Sequence, residues 1–393
     1  MARIVFSTHL VRYPLGGSLS SKLQYVLGFL RLGHEVTIVE RAHYANACYD
    51  AGLDTVGDDA SYGVRIVSSL LSRFGLGGSW CFQDYRGQVF GMPIEKARAA
   101  IGSADVFVDY GNHGAWLDEA RGAGVRIYID GEPGYRQIQL QKSIDAGGRL
   151  PDYDLFFTNG SNIGAPDCPA PTAGASWRTL FHPVNPGLFR LPAAGAGAPF
   201  TTVMNWRSHA ELEFRGQVYG QKNAEFEKFM RLPRRVSAPL EVAVSGGPVE
   251  RLREAGWSVA DAHRTTLTFD AFRGYIGRSA GEFAVAKNVF VAMRTGWFSD
   301  RSAAYLAAGR PVVMQDTGFG AHLPTGEGLF AVRDEDEATE AIERIAREYR
   351  RHALAARRIA RDRLRATEVA AGILRAARIQ PVAIAGRSRS LPP

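Results

Sequence analysis

The sequence predicts an α/β protein with two domains, each built on a parallel sheet that helices cover. Three observations support this. Strand-like and helix-like segments alternate through the first half, residues 182–199 interrupt the alternation with a Pro-, Gly- and Ala-rich stretch, and the alternation resumes at residue 200. The 393 residues also exceed what one ordinary core needs. They suit two domains of about 200 residues each.

The first half begins with a βαβ unit. Residues 2–7 form a β-branched and aromatic run, 18–32 carry apolar residues at helical spacing, and 35–40 form a second strand-like run. The same alternation predicts further strands at 104–109, 125–130 and 154–158, and a helix at 114–122. In the second half it predicts strands at 200–204, 241–245, 288–293 and 311–315, and helices at 302–308 and about 336–378.

These patterns divide the chain into five parts. They are an N-terminal domain at 1–185, a linker at 186–200, a C-terminal domain at 201–360, a final helix at 361–380 and a loose tail at 381–393. No apolar run approaches the roughly 20 residues that a membrane-spanning helix needs. The opening MARIVFSTHL resembles a strand more than a signal peptide, so we expect a cytoplasmic protein.

Charge and cysteine content narrow the classes of function. Cys48, Cys81 and Cys168 are widely spaced and predict free thiols instead of a disulfide framework or a zinc site. The net charge of +7 favours an anionic ligand, and eleven arginines lie between Arg344 and Arg378. We interpret them as a solvated helix face, with nucleic-acid binding as the alternative.

The most informative segment is 294–330. After a predicted strand, a polar loop containing Gly296 leads into a short alanine-rich helix that Ser299 or Asp300 can cap. The free N–H groups and positive dipole end of such a helix favour an anion such as a diphosphate, and Arg301 adds a planar donor. The segment Asp316–Thr317–Gly318 follows the next strand, at the edge where open α/β sheets bind ligands.

This segment resembles the nucleotide-sugar site of GT-B glycosyltransferases, of the family 1 and family 4 (bacterial group 1) kind. The resemblance lies in Gly309–Arg310–Pro311–Val312–Val313 and in the longer string GWFSDRSAAYLAAGRPVVMQDTGF. It implies a GT-B fold, with two Rossmann-like domains facing across a cleft, the donor bound mainly by the second domain, and the last helix crossing back to the first. The donor-binding residues implied here are Gly296, Trp297, Phe298, Ser299, Asp300, Arg301, Ser302, Asp316, Thr317 and Gly318.

The resemblance implies further donor contacts outside this segment. The glycine pair Gly16–Gly17 would approach the phosphates, Arg207 and Lys222 would neutralise them, and Glu282 and Phe283 would receive the ribose and base. The sequence departs from family 4 at one position. The second of two usual glutamates is Ala304 here, so the ribose contact must come from Asp300, Ser302 or Glu282.

Catalytic groups are expected in the first half. His113, Glu132, Asp130 and His9 follow predicted strands at the ligand edge of the sheet, and we rank them in that order as bases for an acceptor hydroxyl. Asp334–Glu335–Asp336 resembles a metal-binding DxD, but its place at a helix start favours a capping role, and we expect no metal.

The predicted function is transfer of a hexose or pentose from a nucleoside diphosphate sugar to a hydroxyl or amine. The acceptor would be a small molecule, a saccharide or a natural product, and no cofactor is expected beyond the donor itself. Two alternatives stay open at this point: a GT-B nucleotide-sugar epimerase, and a transferase or binding protein that acts on nucleic acid. The sugar, the base, the anomeric outcome and the oligomeric state are not predicted.

Overall fold

Two parallel sheets organise the chain. The computed structural model describes residues 1–195 and 197–380, so the predicted tail at 381–393 lies outside the described residues. Residues 3–179 supply an eight-stranded sheet, and residues 200–332 supply a six-stranded sheet. The α/β prediction is therefore confirmed in both halves. Among the described residues, no helix is long and apolar enough to span a membrane.

The N-terminal domain follows a βα rhythm with one added hairpin. Its elements are β1 (Arg3–Thr8), α1 (Gly16–Arg31), β2 (Glu35–Arg41), β3 (Cys48–Asp50), β4 (Thr55–Gly57), α2 (Ser61–Arg73), β5 (Trp80–Gln83), β6 (Val89–Gly91), α3 (Ile94–Gly102), β7 (Val106–Tyr110), β8 (Val125–Asp130), α4 (Tyr135–Asp145), β9 (Leu155–Thr158) and β10 (Trp177–Thr179). The strand order is β10-β9-β8-β7-β1-β2-β5-β6, and only β6 is antiparallel to its neighbour. β1 and β7 are central and almost wholly buried, as their continuous apolar runs require.

The C-terminal domain repeats the arrangement. Its elements are β11 (Phe200–Asn205), β12 (Leu212–Phe214), β13 (Gln217–Tyr219), α5 (Lys222–Phe226), β14 (Leu240–Ser245), α6 (Val249–Glu254), β15 (Ser258–Asp261), α7 (Ala262–Thr266), α8 (Phe269–Arg278), β16 (Gly281–Ala284), α9 (Asn288–Ala292), α10 (Asp300–Ala307), β17 (Val312–Gln315), β18 (Leu329–Val332), α11 (Glu335–Arg347), α12 (Tyr349–Arg363) and α13 (Ala366–Ala376). The parallel sheet runs β15-β14-β11-β16-β17-β18, and β12 and β13 form a separate hairpin. Asp334 accepts the amide of Glu337 and caps α11.

Three predicted elements are wrong. Residues 114–122 contain only a 3₁₀ turn over Glu119–Gly122, and the predicted strand at 288–293 is the helix α9, whose Val289 and Phe290 enter the core. The single helix predicted at 336–378 is three helices. The second of them ends because the carbonyl of Leu364 and the amide of Ala366 bond to Val184, which diverts the chain.

The two domains share one apolar cluster, which passes between them around α1. Two glycines of α1 allow this approach. A Cβ on Gly16 would lie 2.1 Å from the carbonyl oxygen of Thr268, and one on Gly28 would lie 2.5 Å from that of Ala366. Helix α13 thus packs on α1 of the first domain, while the carboxyl edges of both sheets face the gap between the domains.

Candidate functional site

The candidate site lies where α1 meets the first turn of α10. Ser299 caps α10, because its Oγ accepts the amide of Arg301 at 3.2 Å, and Oδ1 of Asp300 accepts the same amide at 2.9 Å. The amide of Ala303 bonds back to the carbonyl of Ser299. The start of α10 is therefore a well-formed helix N-terminus with a positive dipole end.

Two lysines, one from each domain, face this point. Lys22 of α1 is 9% exposed and donates to Oγ of Ser18 at 3.2 Å, and Lys222 begins α5 and is half-buried. Within residues 1–195 and 197–380, neither ammonium has a carboxylate within the 4 Å of a salt bridge. Burial, followed by the nearby Arg301 and Lys287, lowers the pKa of Lys222 to about 7. Burial also lowers the pKa of Lys22, although Asp300, Glu132 and Glu40 oppose it.

Two other cations of the site are held by carboxylates. Arg301 donates through Nε to Glu282 and through Nη1 to the carbonyl of Val203 at 2.7 Å. Lys287 is 7% exposed and donates to Glu132 at 2.5 Å, across the domain gap. These pairs fix the two head groups in place and leave Lys22 and Lys222 to meet an added anion.

Asp300 adds a negative charge at the same place. Its own burial would raise its pKa, but His182, Lys22 and Arg301 together outweigh burial and hold the pKa below its ordinary value. Asp300 is therefore ionised at neutral pH.

A small cavity of about 180 Å³ opens between α1 and α10. It is lined by Gly17, Ser20, Ser21, Gln24, Pro183, Val184, Phe189, Val203, Thr266, Phe272, Asp300, Arg301 and Ala304. Two buried polar atoms of α1, Oγ of Ser21 and Nε2 of Gln24, have no hydrogen-bond partner among the described residues. The cavity is large enough for several waters or for one small ring.

The backbone of Gly296 is paired within the protein, whereas the prediction needs a free amide there. Its amide donates to the carbonyl of Thr317 at 2.7 Å, and its carbonyl accepts Oγ of Ser161 at 2.9 Å. Gly318 lies against Asn162, whose side-chain amide donates to the carbonyl of Arg294 at 2.8 Å. These residues join the two domains, and the helix N-terminus of α10 begins four residues later, at Asp300.

The side chains around this turn point into the core. Trp297 packs on Phe290 with ring centroids 4.7 Å apart, and Phe298 is fully buried against Phe319. Oγ of Ser302 lies 3.8 Å from the sulfur of Met314, behind the helix. Trp297, Phe298 and Ser302 therefore cannot contact a donor in this conformation.

The predicted ribose and base contacts also belong to the interior. Glu282 is fully buried beneath Arg301, and Phe283 is 1% exposed and packs on Phe229 with centroids 5.3 Å apart. Oγ1 of Thr317 donates to the carbonyl of Trp297 at 2.6 Å.

The remaining predicted donor residues differ in position. Asp316 lies at the end of β17 and accepts the amide of Gly318 at 2.8 Å, in a groove beside Arg294 and away from α10. Gly16 allows α1 to pack closely against Thr268, whereas Gly17 lines the cavity. Arg207 is exposed in the loop after β11.

Asp130 is a structural carboxylate. It is 1% exposed and accepts the amide of Glu132, Nε2 of Gln137 and Oγ1 of Thr158, each at 2.8 Å. These bonds shape the loop after β8 and present Glu132, whose side chain is 42% exposed, to Lys287. Asp130 therefore positions Glu132 and has little capacity left to act as a base.

The two histidines occupy adjacent loops. Buried Glu40 accepts the amides of Leu10, Val11 and Arg12 and thereby orders the loop that carries His9. Nδ1 of His9 lies 3.1 Å from the carbonyl oxygen of Gly111. Because a carbonyl only accepts, Nδ1 must donate, and Nε2 of the neutral ring keeps its lone pair.

His9 and His113 are both neutral at pH 7. Burial, with help from Lys22 and Arg12, lowers the pKa of His9 well below its ordinary value. His113 is exposed in a left-handed conformation (φ 52°), and partial desolvation lowers its pKa as well. Of the two, His9 has the defined tautomer.

Sequence reasoning missed three residues of the site. Lys22 and Gln24 lie in the helix after the glycine pair, and Lys287 lies three residues after the end of β16. The available signal was a lysine inside an otherwise apolar helix face, since a buried lysine is rare without a function. Within the described part of the chain, no three His, Cys, Asp or Glu side chains group closely enough to hold a metal ion.

The fold and this cleft define a GT-B architecture. No protein-family model and no curated protein matches the sequence. Among solved structures, an α-glucosyltransferase in complex with UDP and a 13-mer DNA is similar over 96% of this chain and 99% of its own, with a TM-score of 0.57 and 10% identity.

Two further solved structures have the same architecture. HepE of Anabaena, in complex with UDP and glucose, covers 96% of this chain and 99% of its own at a TM-score of 0.54 and 12% identity. AviGT4, a glycosyltransferase of avilamycin A biosynthesis, covers 96% and 97% at a TM-score of 0.52 and 15% identity. At such identities the likeness establishes the fold alone.

Proposed function

We propose that the protein is a glycosyltransferase, which moves a sugar from a nucleoside diphosphate sugar to an acceptor hydroxyl or amine. One observation carries the proposal: Lys22 and Lys222 approach the start of α10 from opposite domains, and neither has a carboxylate partner within 4 Å in the described ranges. A diphosphate would supply the missing negative charge to both.

The arrangement suits charge that develops during transfer. When the bond between the anomeric carbon and the diphosphate oxygen breaks, the departing nucleoside diphosphate gains negative charge. Fixed cations and the dipole of α10 then stabilise that charge without reorganising. Arg301 is already held by Glu282, so its guanidinium needs no rearrangement.

The cavity beside α10 would receive one ring of the donor. Gln24 and Ser21 offer polar atoms that lack partners, and they replace the side chain that Ala304 does not supply. An unpartnered buried amide costs free energy, and a bound hydroxyl would remove that cost.

His9 is the proposed base. Its Nε2 can accept the proton of an attacking acceptor hydroxyl, and its low pKa keeps it unprotonated at pH 7. His113, Glu132 and Asp130 rank below it in this proposal.

The neighbouring structures support the same chemistry. They include complexes with UDP and DNA and with UDP and glucose, and an enzyme of avilamycin A biosynthesis, and all share the architecture described above. For this chain, a hexose or pentose donor, the absence of a further cofactor and a cytoplasmic location stay predictions. Nucleic acid stays the less favoured alternative as acceptor.

Donor binding can be tested with two lysines of one segment. Thermal shifts would be recorded with UDP, GDP, ADP and dTDP, and at least one should raise the melting temperature of the wild type. Lys222→Ala should weaken that nucleotide by about tenfold to a hundredfold, the range for a charge-assisted contact of 1.5–3 kcal/mol.

Lys228→Ala is the matched control, because Lys228 lies in the turn directly after α5 and pairs with Glu225 at 2.8 Å. It should bind like the wild type. Equal nucleotide binding by Lys222→Ala and Lys228→Ala would contradict the proposed site. Sugar donor that is consumed equally with and without acceptors would indicate the epimerase alternative.

A further inference from the structure

A track of aromatic rings runs from the proposed base to the surface of the first domain. The rings of His9 and Tyr13 lie 6.1 Å apart, edge to face, and Tyr13 and Tyr49 stack at 6.5 Å. Tyr49 in turn meets His263 of the other domain at 6.5 Å.

The track is open to solvent on one side. Tyr13 is 40% exposed and Tyr44 is 52% exposed. Partial burial raises the pKa of Tyr13, and the nearby Tyr44 raises it further. Leu53 and Val56, on the adjoining hairpin, are also exposed. Large exposed apolar side chains that gather in one place mark a binding surface more often than scattered ones.

The hairpin β3–β4 holds this surface in a fixed position. The amide of Tyr49 donates to the carbonyl of Arg12 at 2.9 Å, which ties the hairpin to the loop of His9. Helix α2 supports that loop closely, since a Cβ on Gly63 would lie 2.1 Å from the carbonyl oxygen of Val11. The rings are therefore held ready before any ligand arrives.

The charge around the track excludes a polyanion as its ligand. Residues 43–59 contain four aspartates and no lysine or arginine. Arg12 beneath them is already paired with Glu40 at 3.0 Å. Nucleic-acid surfaces need a basic patch, which this face lacks.

The open geometry also selects among neutral ligands. A flat aromatic aglycone would gain most from a closed apolar slot. A sugar ring has one apolar face that can stack on an aromatic ring, and hydroxyls around its edge that can hydrogen-bond to carboxylates and phenols. Tyrosine offers both an apolar ring and a polar hydroxyl.

We propose that Tyr13, Tyr44 and Tyr49 form the acceptor subsite and that the acceptor is a neutral saccharide stacked on them. The proposal rests on the proposed function above. An acceptor hydroxyl would bond to the anomeric carbon of the donor sugar as the bond to the diphosphate oxygen breaks. The nucleoside diphosphate leaves with the electron pair, and the hydroxyl proton passes to Nε2 of His9.

The test compares tyrosines of similar exposure on and off the track. A printed array would carry neutral oligosaccharides, planar polyphenols and duplex DNA, and the protein would be applied with its best nucleotide. The wild type should retain neutral oligosaccharides. The double variant Tyr13→Ser/Tyr44→Ser should lose roughly tenfold or more of that binding, at about 0.5–1.5 kcal/mol for each ring.

Tyr85→Ser is the control, because Tyr85 is 37% exposed and its ring contacts Arg86, outside the row of rings, while its hydroxyl donates to Asp58 at 2.9 Å. It should bind oligosaccharides within about twofold of the wild type. Nucleotide affinity, measured in parallel, should be equal in all three proteins. If the wild type binds no nucleotide, that result would contradict the proposed donor site and not the acceptor subsite.

Three results would overturn the acceptor proposal. The first is a wild type that retains no neutral oligosaccharide. The second is retention of polyphenols or DNA in their place. The third is a double variant that binds oligosaccharides as well as Tyr85→Ser does.

Discussion

Two adjacent segments of the C-terminal domain, the turn 294–298 and the first turn of α10, carry similar sequence signals but differ in use. Both have small or polar residues after a buried element. The amide of Gly296 is bonded to Thr317, whereas α10 presents its capped start to Lys22 and Lys222. The difference teaches that a glycine in a ligand-edge loop can serve close packing of two domains as well as close approach to a ligand.

The largest expected effect is a loss of stability when a side chain is added at Gly296. Gly296→Ala places a Cβ 2.2 Å from Oγ of Ser161 at a φ of +74°, so it adds a steric clash to the strain of a left-handed residue. It should lower the free energy of unfolding by about 3 kcal/mol, as measured by urea denaturation.

Gly326→Ala is the control for this variant. Gly326 has a φ of +95° and no atom within 4 Å of a built Cβ, so only the left-handed strain remains, about 1 kcal/mol. Equal losses in the two variants would show that the turn does not join the domains as described.

An intermediate effect is expected from pH. The pKa of Lys222 is lowered to about 7, so the ammonium that would bind a diphosphate is present below pH 7 and is lost above it. Nucleotide affinity should fall by roughly tenfold from pH 6.5 to 8.5, and calorimetry near pH 8 should detect proton uptake on binding. Lys222→Ala should lack both signatures, and a pH-independent affinity in the wild type would contradict this assignment.

The same pKa shift predicts the opposite trend for the stability of the unliganded protein. Above pH 7 the unfolded chain binds more protons at Lys222 than the folded chain does, so this group's contribution to stability rises with pH.

The smallest expected effect is at the cap of α10. Ser299→Ala removes one of the two acceptors for the amide of Arg301 and should cost about 1 kcal/mol of unfolding free energy, together with a few-fold loss of nucleotide affinity. Ser302→Ala, whose hydroxyl lies beside Met314 behind the helix, should leave nucleotide affinity unchanged. A larger loss of affinity at Ser302 than at Ser299 would reverse the comparison.

Local signals predicted much of the fold. The strand at 125–130 matches β8 at both ends, and the capped helix after Ser299 is present as expected. They were predictable because alternation, capping and glycine turns depend on neighbouring residues. The helix at 288–292 was not predictable in this way. Its β-branched residues favour a strand by propensity, but the burial of Val289 and Phe290 stabilises a helix.

The residues of the candidate site also fall into those that local sequence predicts and those that it does not. Ser299, Asp300, Arg301 and Lys222 were predictable because each lies in a recognisable segment. Lys22, Gln24 and Lys287 were not, because their importance depends on which residues of the other domain they meet.

The sequence by itself determined the two α/β halves and the helix N-terminus at Asp300, because hydrophobic period and capping are encoded within a few residues. Only the tertiary structure decided which groups face the cleft. It turned Phe283 and Ser302 inward, paired Lys287 with Glu132 across the gap, and left Lys22 and Lys222 to face it from opposite domains. The physical reason is that burial and charge pairing depend on contacts between residues far apart in the chain, which local patterns do not encode.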